Sequence, residues 1–162
     1  MLLNSYSFIL FFIILFFAYF LVGKTSRLQN ILLLIASYIF YFTWSFEFIA
    51  LIVFSTAITY FVGNKIKNAE GNAKRTWMRI GVFFVLIQLL YFKYFNFFIE
   101  NFNDLLNIFG MQDQLSILKL ILPIGISFCS FRMIGYLLDI RNNKLKEIPS
   151  FLNYSVFIAF FP

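Results

Sequence analysis

Lys93, Arg132 and Asp139 are ionisable side chains set within or at the edge of long apolar runs, where charge either lines a polar cavity or reaches for a membrane surface. Insertion scales put the cost of a charge at the centre of a bilayer at about 2.5–3.5 kcal/mol, so such residues face protein or a wet cavity unless their stems can escape. Lys93 stands about six residues from the end of its run, about 9 Å at helical rise, and its flexible stem covers part of that distance. Cavity lining and snorkelling both remain open for it. Arg132 lies deeper. Asp139 follows seven positions later on the same helical face, two turns away and too far for direct pairing, at a helix end where a solvated carboxylate is ordinary. Covalent chemistry has thinner support. Ser127 and Ser130 flank Cys129, but the chain has no histidine, so no imidazole is at hand to activate a nucleophile. Interhelical hydrogen bonding suits the two serines better, and Cys129 reads as core. A single cysteine excludes an internal disulfide and a cysteine-rich metal site. Neither a catalytic residue nor a metal ligand set is assigned, no bound cofactor is expected, and Asn153-Tyr154-Ser155 matches a glycosylation acceptor by chance.

The elements that must carry these residues are membrane helices. A composition 62% hydrophobic and 12% charged leaves too little polar surface to clothe a water-soluble globule. Long unbroken apolar runs exclude the alternation of an outer-membrane barrel, and helices are the remaining way to satisfy a backbone in hydrocarbon. The sequence predicts an all-α, polytopic transmembrane protein of about six membrane segments, with residues 1–162 as a single membrane domain. The runs are Tyr6 to Val22, Ile31 to Phe46, Phe48 to Val62, Ile80 to Ile99, Ile117 to Leu138, and one that begins near Phe151. The first is a retained helix, because its charges follow the apolar core instead of preceding it. Glu47 and its polar neighbours favour a hairpin over one long helix for the second and third. Asn64 to Arg79, around the Gly71-Asn72 turn signal, belongs in water. An amphipathic helix lying in the interface is predicted from Glu100 to Gly110. Pro123 and Gly125 should kink or break the fifth segment, since proline removes a backbone donor.

Charge gives an orientation. With the N-terminus outside, the loops at 23–30, 64–79 and 139–149 all face the cytoplasm and hold ten of the thirteen basic residues. Glu47, Glu100, Asp104 and Asp113 fall on the opposite side. The positive-inside rule thus predicts a multi-pass protein of the cell membrane, with membrane lipid as its surroundings. The net charge of +6 is spread over short loops and never builds one basic face, which excludes nucleic acid as a partner.

Several motifs then recur in order: Leu90-Tyr91-Phe92-Lys93-Tyr94-Phe95-Asn96-Phe97-Phe98, Leu122-Pro123-Ile124-Gly125-Ile126-Ser127-Phe128, Gly135-Tyr136-Leu137-Leu138-Asp139-Ile140, and Phe160-Phe161-Pro162. Together they resemble the N-terminal portion of the membrane-bound O-acyltransferase family, in particular its alginate O-acetyltransferase and D-alanyl lipoteichoic acid transferase branch. The chain departs from that pattern at Cys129 and Ser130, where Tyr and Thr are usual, and at Arg132, where Gln is usual. The resemblance implies acyl transfer from a thioester donor to hydroxyls of an extracytoplasmic polysaccharide or cell-wall polymer. It also implies a histidine base in a further C-terminal portion, so this chain alone is expected to be inactive. Its implied partners are that C-terminal portion or a carrier protein. A non-enzymatic membrane scaffold or a small transporter module is the competing class, although a transporter would show paired broken helices and only one interrupted span is visible.

Overall fold

The computed structural model describes residues 6–23, 25–43, 46–108, 125–145 and 147–160, and every regular element among them is a helix. In chain order these are α1 (Tyr6–Leu21), α2 (Ser26–Phe42), α3 (Phe46–Asn68), α4 (Gly71–Ile108), α5 (Ile126–Arg141) and α6 (Phe151–Ala159). Two of them, α3 over Phe46–Asn68 and α4 over Gly71–Phe95, are long and apolar enough to cross a membrane, and α1 and α2 are shorter apolar helices.

The breaks follow local chemistry. The chain separates α2 from α3, and Thr43 closes the end of α2 by donating its hydroxyl to the Phe40 carbonyl at 2.7 Å. Between α3 and α4 only Ala69 and Glu70 are non-helical, and Gly71 takes φ +56°, a left-handed conformation that glycine adopts without a Cβ clash. Most of the polar stretch around this turn is therefore helical, extending α3 and α4 beyond their apolar portions. The separate interfacial helix expected from Glu100 is not separate: α4 runs unbroken to Ile108. No proline and no glycine interrupts it after Gly81, so nothing stops the backbone ladder where the composition turns polar. Ser150 starts α6, its hydroxyl accepting from the Asn153 N–H at 3.3 Å.

The centre of the molecule is the meeting of α3, α4 and α5, with α6 laid across α2 and α3. Ile66, Leu137, Ile140, Tyr154 and Ile158 are almost wholly buried there. Close approach depends on two glycines. A Cβ on Gly63 would stand 2.7 Å from the Tyr136 ring, and one on Gly81 would stand 2.7 Å from Leu137 and 2.8 Å from Val62. Small residues at such crossings let packing and hydrogen bonds hold membrane helices together where burial from lipid gives no hydrophobic gain. One such bond joins Thr59 Oγ1 and the Tyr154 hydroxyl at 2.8 Å across the α3–α6 contact.

Candidate functional site

Helix α5 carries the site. Gly125 precedes it at φ +82°, and its carbonyl accepts the first helical bond from the Cys129 N–H at 2.9 Å. Pro123 lies outside the described residues. From Ile126 onward, residues 132, 135, 136 and 139 share one face by helical periodicity, and this face forms the floor and one wall of a groove of about 390 Å³. The other wall comes from Asn153, Tyr154 and Phe157 on α6, with Leu145 and Pro149 from the connector between the helices.

Arg132 and Asp139 mark the two ends. Arg132 Nη1 donates to the carbonyls of Phe157 at 2.8 Å and Phe160 at 3.1 Å, with Ile158 O further off at 3.5 Å. Its guanidinium lies over the Phe128 ring at 4.0 Å and faces Phe157 at 5.6 Å. The cation thus caps the C-terminal carbonyls of α6, where the helix dipole also favours positive charge. At the other end the Asp139 carboxylate meets Lys144 Nζ at 3.6 Å, and both side chains stay substantially exposed, at 46% and 70%. Between them Gly135 leaves the floor open, since a Cβ there would meet nothing within 4 Å. The Tyr136 ring stacks on Tyr154 at 4.1 Å between centroids, and its buried hydroxyl has no hydrogen-bond partner among the described residues.

The connector is held in place. Lys67 Nζ donates to the Leu145 carbonyl at 3.1 Å, Lys74 Nζ to Asn143 Oδ1 at 2.7 Å, and Asn30 Nδ2 to Asn153 Oδ1 at 2.9 Å. The groove mouth is therefore tied to α2, α3 and α4.

Lys93 is elsewhere. It sits on the exposed side of α4, its ammonium 5.3 Å from the centre of the Tyr94 ring, and does not line the α5–α6 groove. Two of the nucleophile candidates point inward: Cys129 Sγ is 3.5 Å from the Ile158 carbonyl, and Ser130 is buried. Both line a small cavity of about 20 Å³ with Tyr41, Ser55 and Gln88, where Ser55 Oγ reaches Gln88 Oε1 at 2.7 Å. That space is enough for one water among polar partners.

The arrangement can bind and orient. It offers a cation, a carboxylate, an amide and aromatic walls, but no nucleophile beside a base. Among the described residues no group of His, Cys, Asp and Glu could hold a metal ion. The sequence assigned no place in a site to Gly135, Asn153 or the Tyr136–Tyr154–Thr59 cluster. Ser55, Thr59 and Gly63 recur every four residues inside an apolar run, and that small-residue stripe was the available signal for the close contacts of α3 with its neighbours.

No family model matches the chain, and no solved structure does. The chain is 37% identical over 146 residues to the probable alginate O-acetylase AlgI of Pseudomonas aeruginosa, covering 89% of this chain and 28% of that protein. The probable alginate O-acetylase AlgI of Pseudomonas putida is 36% identical over 146 residues, 89% of this chain and 30% of that protein. The peptidoglycan O-acetyltransferase of Helicobacter pylori is 32% identical over 165 residues, 86% of this chain and 30% of that protein. The chain spans less than a third of the length of these curated relatives.

Proposed function

We propose that this chain is the N-terminal portion of a membrane-bound O-acyltransferase-like protein, and that the whole protein transfers an acyl group, acetyl or D-alanyl-like, to hydroxyls of an extracytoplasmic polysaccharide or cell-wall polymer. The observation that carries the reading is a likeness to polysaccharide O-acetylases sustained over 89% of this chain. In the reaction a hydroxyl oxygen bonds to the acyl carbon of a thioester, the carbon–sulfur bond breaks, and the hydroxyl proton passes by way of a base to the departing sulfur, which leaves as thiol. Imidazole titrates near working pH and suits that base. These 162 residues contain no histidine, so we assign the base to a further portion of the protein and this part to positioning.

Six membrane segments, an outside N-terminus and cytoplasmic basic loops belong to the same proposal, supported by the charge asymmetry of the connectors. In that orientation the Asp139 end of the α5–α6 groove lies toward the cytoplasmic boundary and the Arg132 end lies deeper. A thioester donor, delivered by a carrier protein, would approach from the Asp139 end.

A chimaera tests the reading. Residues 1–162 replace the matching segment of the full-length P. aeruginosa relative, and alginate O-acetyl content is measured in a strain lacking its own enzyme. Acetylation is expected to return. A chimaera that accumulates in the membrane at the parental level and leaves alginate unacetylated would falsify the proposal. Residues 1–162 expressed alone are expected to give no acetylation.

A further inference from the structure

We propose that the groove between α1 and α2 is a binding site for one acyl chain of an anionic glycerophospholipid, with its phosphate held at the basic α1–α2 connector. The inference rests on the membrane-spanning part of the reading above and is independent of acyl transfer.

Helix α1 packs against α2 alone among the described elements and buries none of its residues. Its side chains at 12, 16 and 20 form a ladder of phenylalanines at helical spacing, and with α2 they enclose about 370 Å³. The depression exists because α2 presents the small residues Ala36 and Ser37 there. Ser37 spends its hydroxyl on the Leu33 carbonyl at 2.8 Å, so the wall it contributes is effectively apolar. Phe160 and Ser37 each stand seven residues beyond the Asn30–Asn153 hydrogen bond, and both line the end of the groove remote from the connector.

Size selects the occupant. Phe11 and Phe20 are nine residues apart, about 13.5 Å at helical rise, close to the roughly 15 Å depth of one leaflet's hydrocarbon. An extended methylene chain matches that length. Charge selects the head group. The groove ends at Tyr19 and Phe20, toward the connector and the first turn of α2 with Arg27; Lys24 precedes it in the sequence. Arg27 is exposed in the first turn of α2 and has no ion-pair partner among the described residues. Under the positive-inside orientation this end faces the leaflet whose lipids carry negative charge.

The test uses the full-length protein reconstituted in phosphatidylcholine vesicles containing a small, equal fraction of either phosphatidylglycerol or phosphatidylcholine with a photoactivatable diazirine in one acyl chain. Adducts are mapped by mass spectrometry. With the phosphatidylglycerol probe they are expected to concentrate on residues 11–20 and 33–37, in excess over the phosphatidylcholine probe. Replacing Lys24 and Arg27 by glutamine should lower that excess about fivefold for each charge removed. Equal labelling by the two probes, labelling spread evenly over the lipid-facing helices, or labelling absent from the groove would each overturn the proposal. A tagging assay on the same vesicles reports whether the connectors lie on the expected sides, which separates failure of the lipid site from failure of the topology.

Discussion

The two grooves of this protein are nearly equal in volume, about 390 Å³ between α5 and α6 and about 370 Å³ between α1 and α2, yet their walls have opposite character. The first is bounded by Arg132, Asp139 and Asn153 and is braced by hydrogen bonds from α2, α3 and α4. The second is bounded mainly by phenylalanines and leucines, on a helix with a single neighbour among the described elements. Space of a given size becomes a candidate reaction surface or a lipid seat according to which side chains the surrounding packing can hold in place. Rigidity follows the same division, because the polar groove is built on the buried centre and the apolar one on the periphery.

The largest expected effect comes from disturbing that centre. Gly63→Ala drives a methyl into the Tyr136 ring and to 2.9 Å from Ile140 Cδ1, and overpacking of this kind costs about 1–3 kcal/mol. Unfolding of the detergent-solubilised full-length protein should shift by that amount. Lipid labelling of the α1–α2 groove should be unchanged, and if it changes as well, the two grooves are not independent. Arg132→Ala comes next. It leaves the Phe157 and Phe160 carbonyls without their donor and removes a favourable charge at a helix C-terminus, worth up to about 2 kcal/mol when partly buried. Hydrogen exchange should rise at the last turn of α6 and nowhere in α1 or α2. Arg132→Gln, which keeps an amide donor, should show a smaller rise, and equal rises for the two variants would refute the capping role.

Thr59→Val removes the partner of the Tyr154 hydroxyl and should cost about 0.6 kcal/mol, the average for hydrogen bonds between membrane helices. In a double-mutant cycle with Tyr154→Phe, no coupling energy would mean that the α3–α6 contact rests on packing alone. The smallest effect belongs to Asp139→Asn. An exposed pair at 3.6 Å contributes roughly 0–1 kcal/mol, so stability should hardly move. Acyl transfer by the full enzyme is the sensitive readout here. A rate that falls while stability holds would assign the carboxylate to the reaction surface, and an unchanged rate would leave it as a solvated helix end.

Much of the helical class was legible because hydrophobic run length and the absence of alternation speak directly to how a backbone survives in lipid. Gly71-Asn72 announced a turn, and Glu47 with its neighbours announced a separation of α2 from α3. Length was less legible. The tract after Ile99 carries Asn, Asp and Glu among apolar residues, a pattern shared by an interfacial helix and by the extension of a preceding one, and no glycine or proline marks a boundary. The site was legible only by halves. Arg132 and Asp139 stood out as charges in apolar surroundings, and their seven-residue spacing put them on one face. Their neighbours did not stand out, because Arg132 bonds to backbone carbonyls 25 to 28 residues later and Thr59 to a tyrosine 95 residues later, and no local pattern encodes such contacts. Lys93 stood out for the same reason as Arg132 but lies on a different surface. Charge within an apolar run flags an energetic problem without naming its solution.

The cap on α6 has a consequence for how the chain can travel through a bilayer. Nine residues of helix rise about 13.5 Å, less than half of a hydrocarbon layer roughly 30 Å thick, so under the proposed topology α6 would start at the basic water boundary and stop near the midplane. Peptide oxygens exposed there find no solvent, and each unmet acceptor costs several kcal/mol. At that depth Arg132 would supply the hydrogen-bond donors that water supplies elsewhere, a guanidinium acting as surrogate solvent for the last turn of α6.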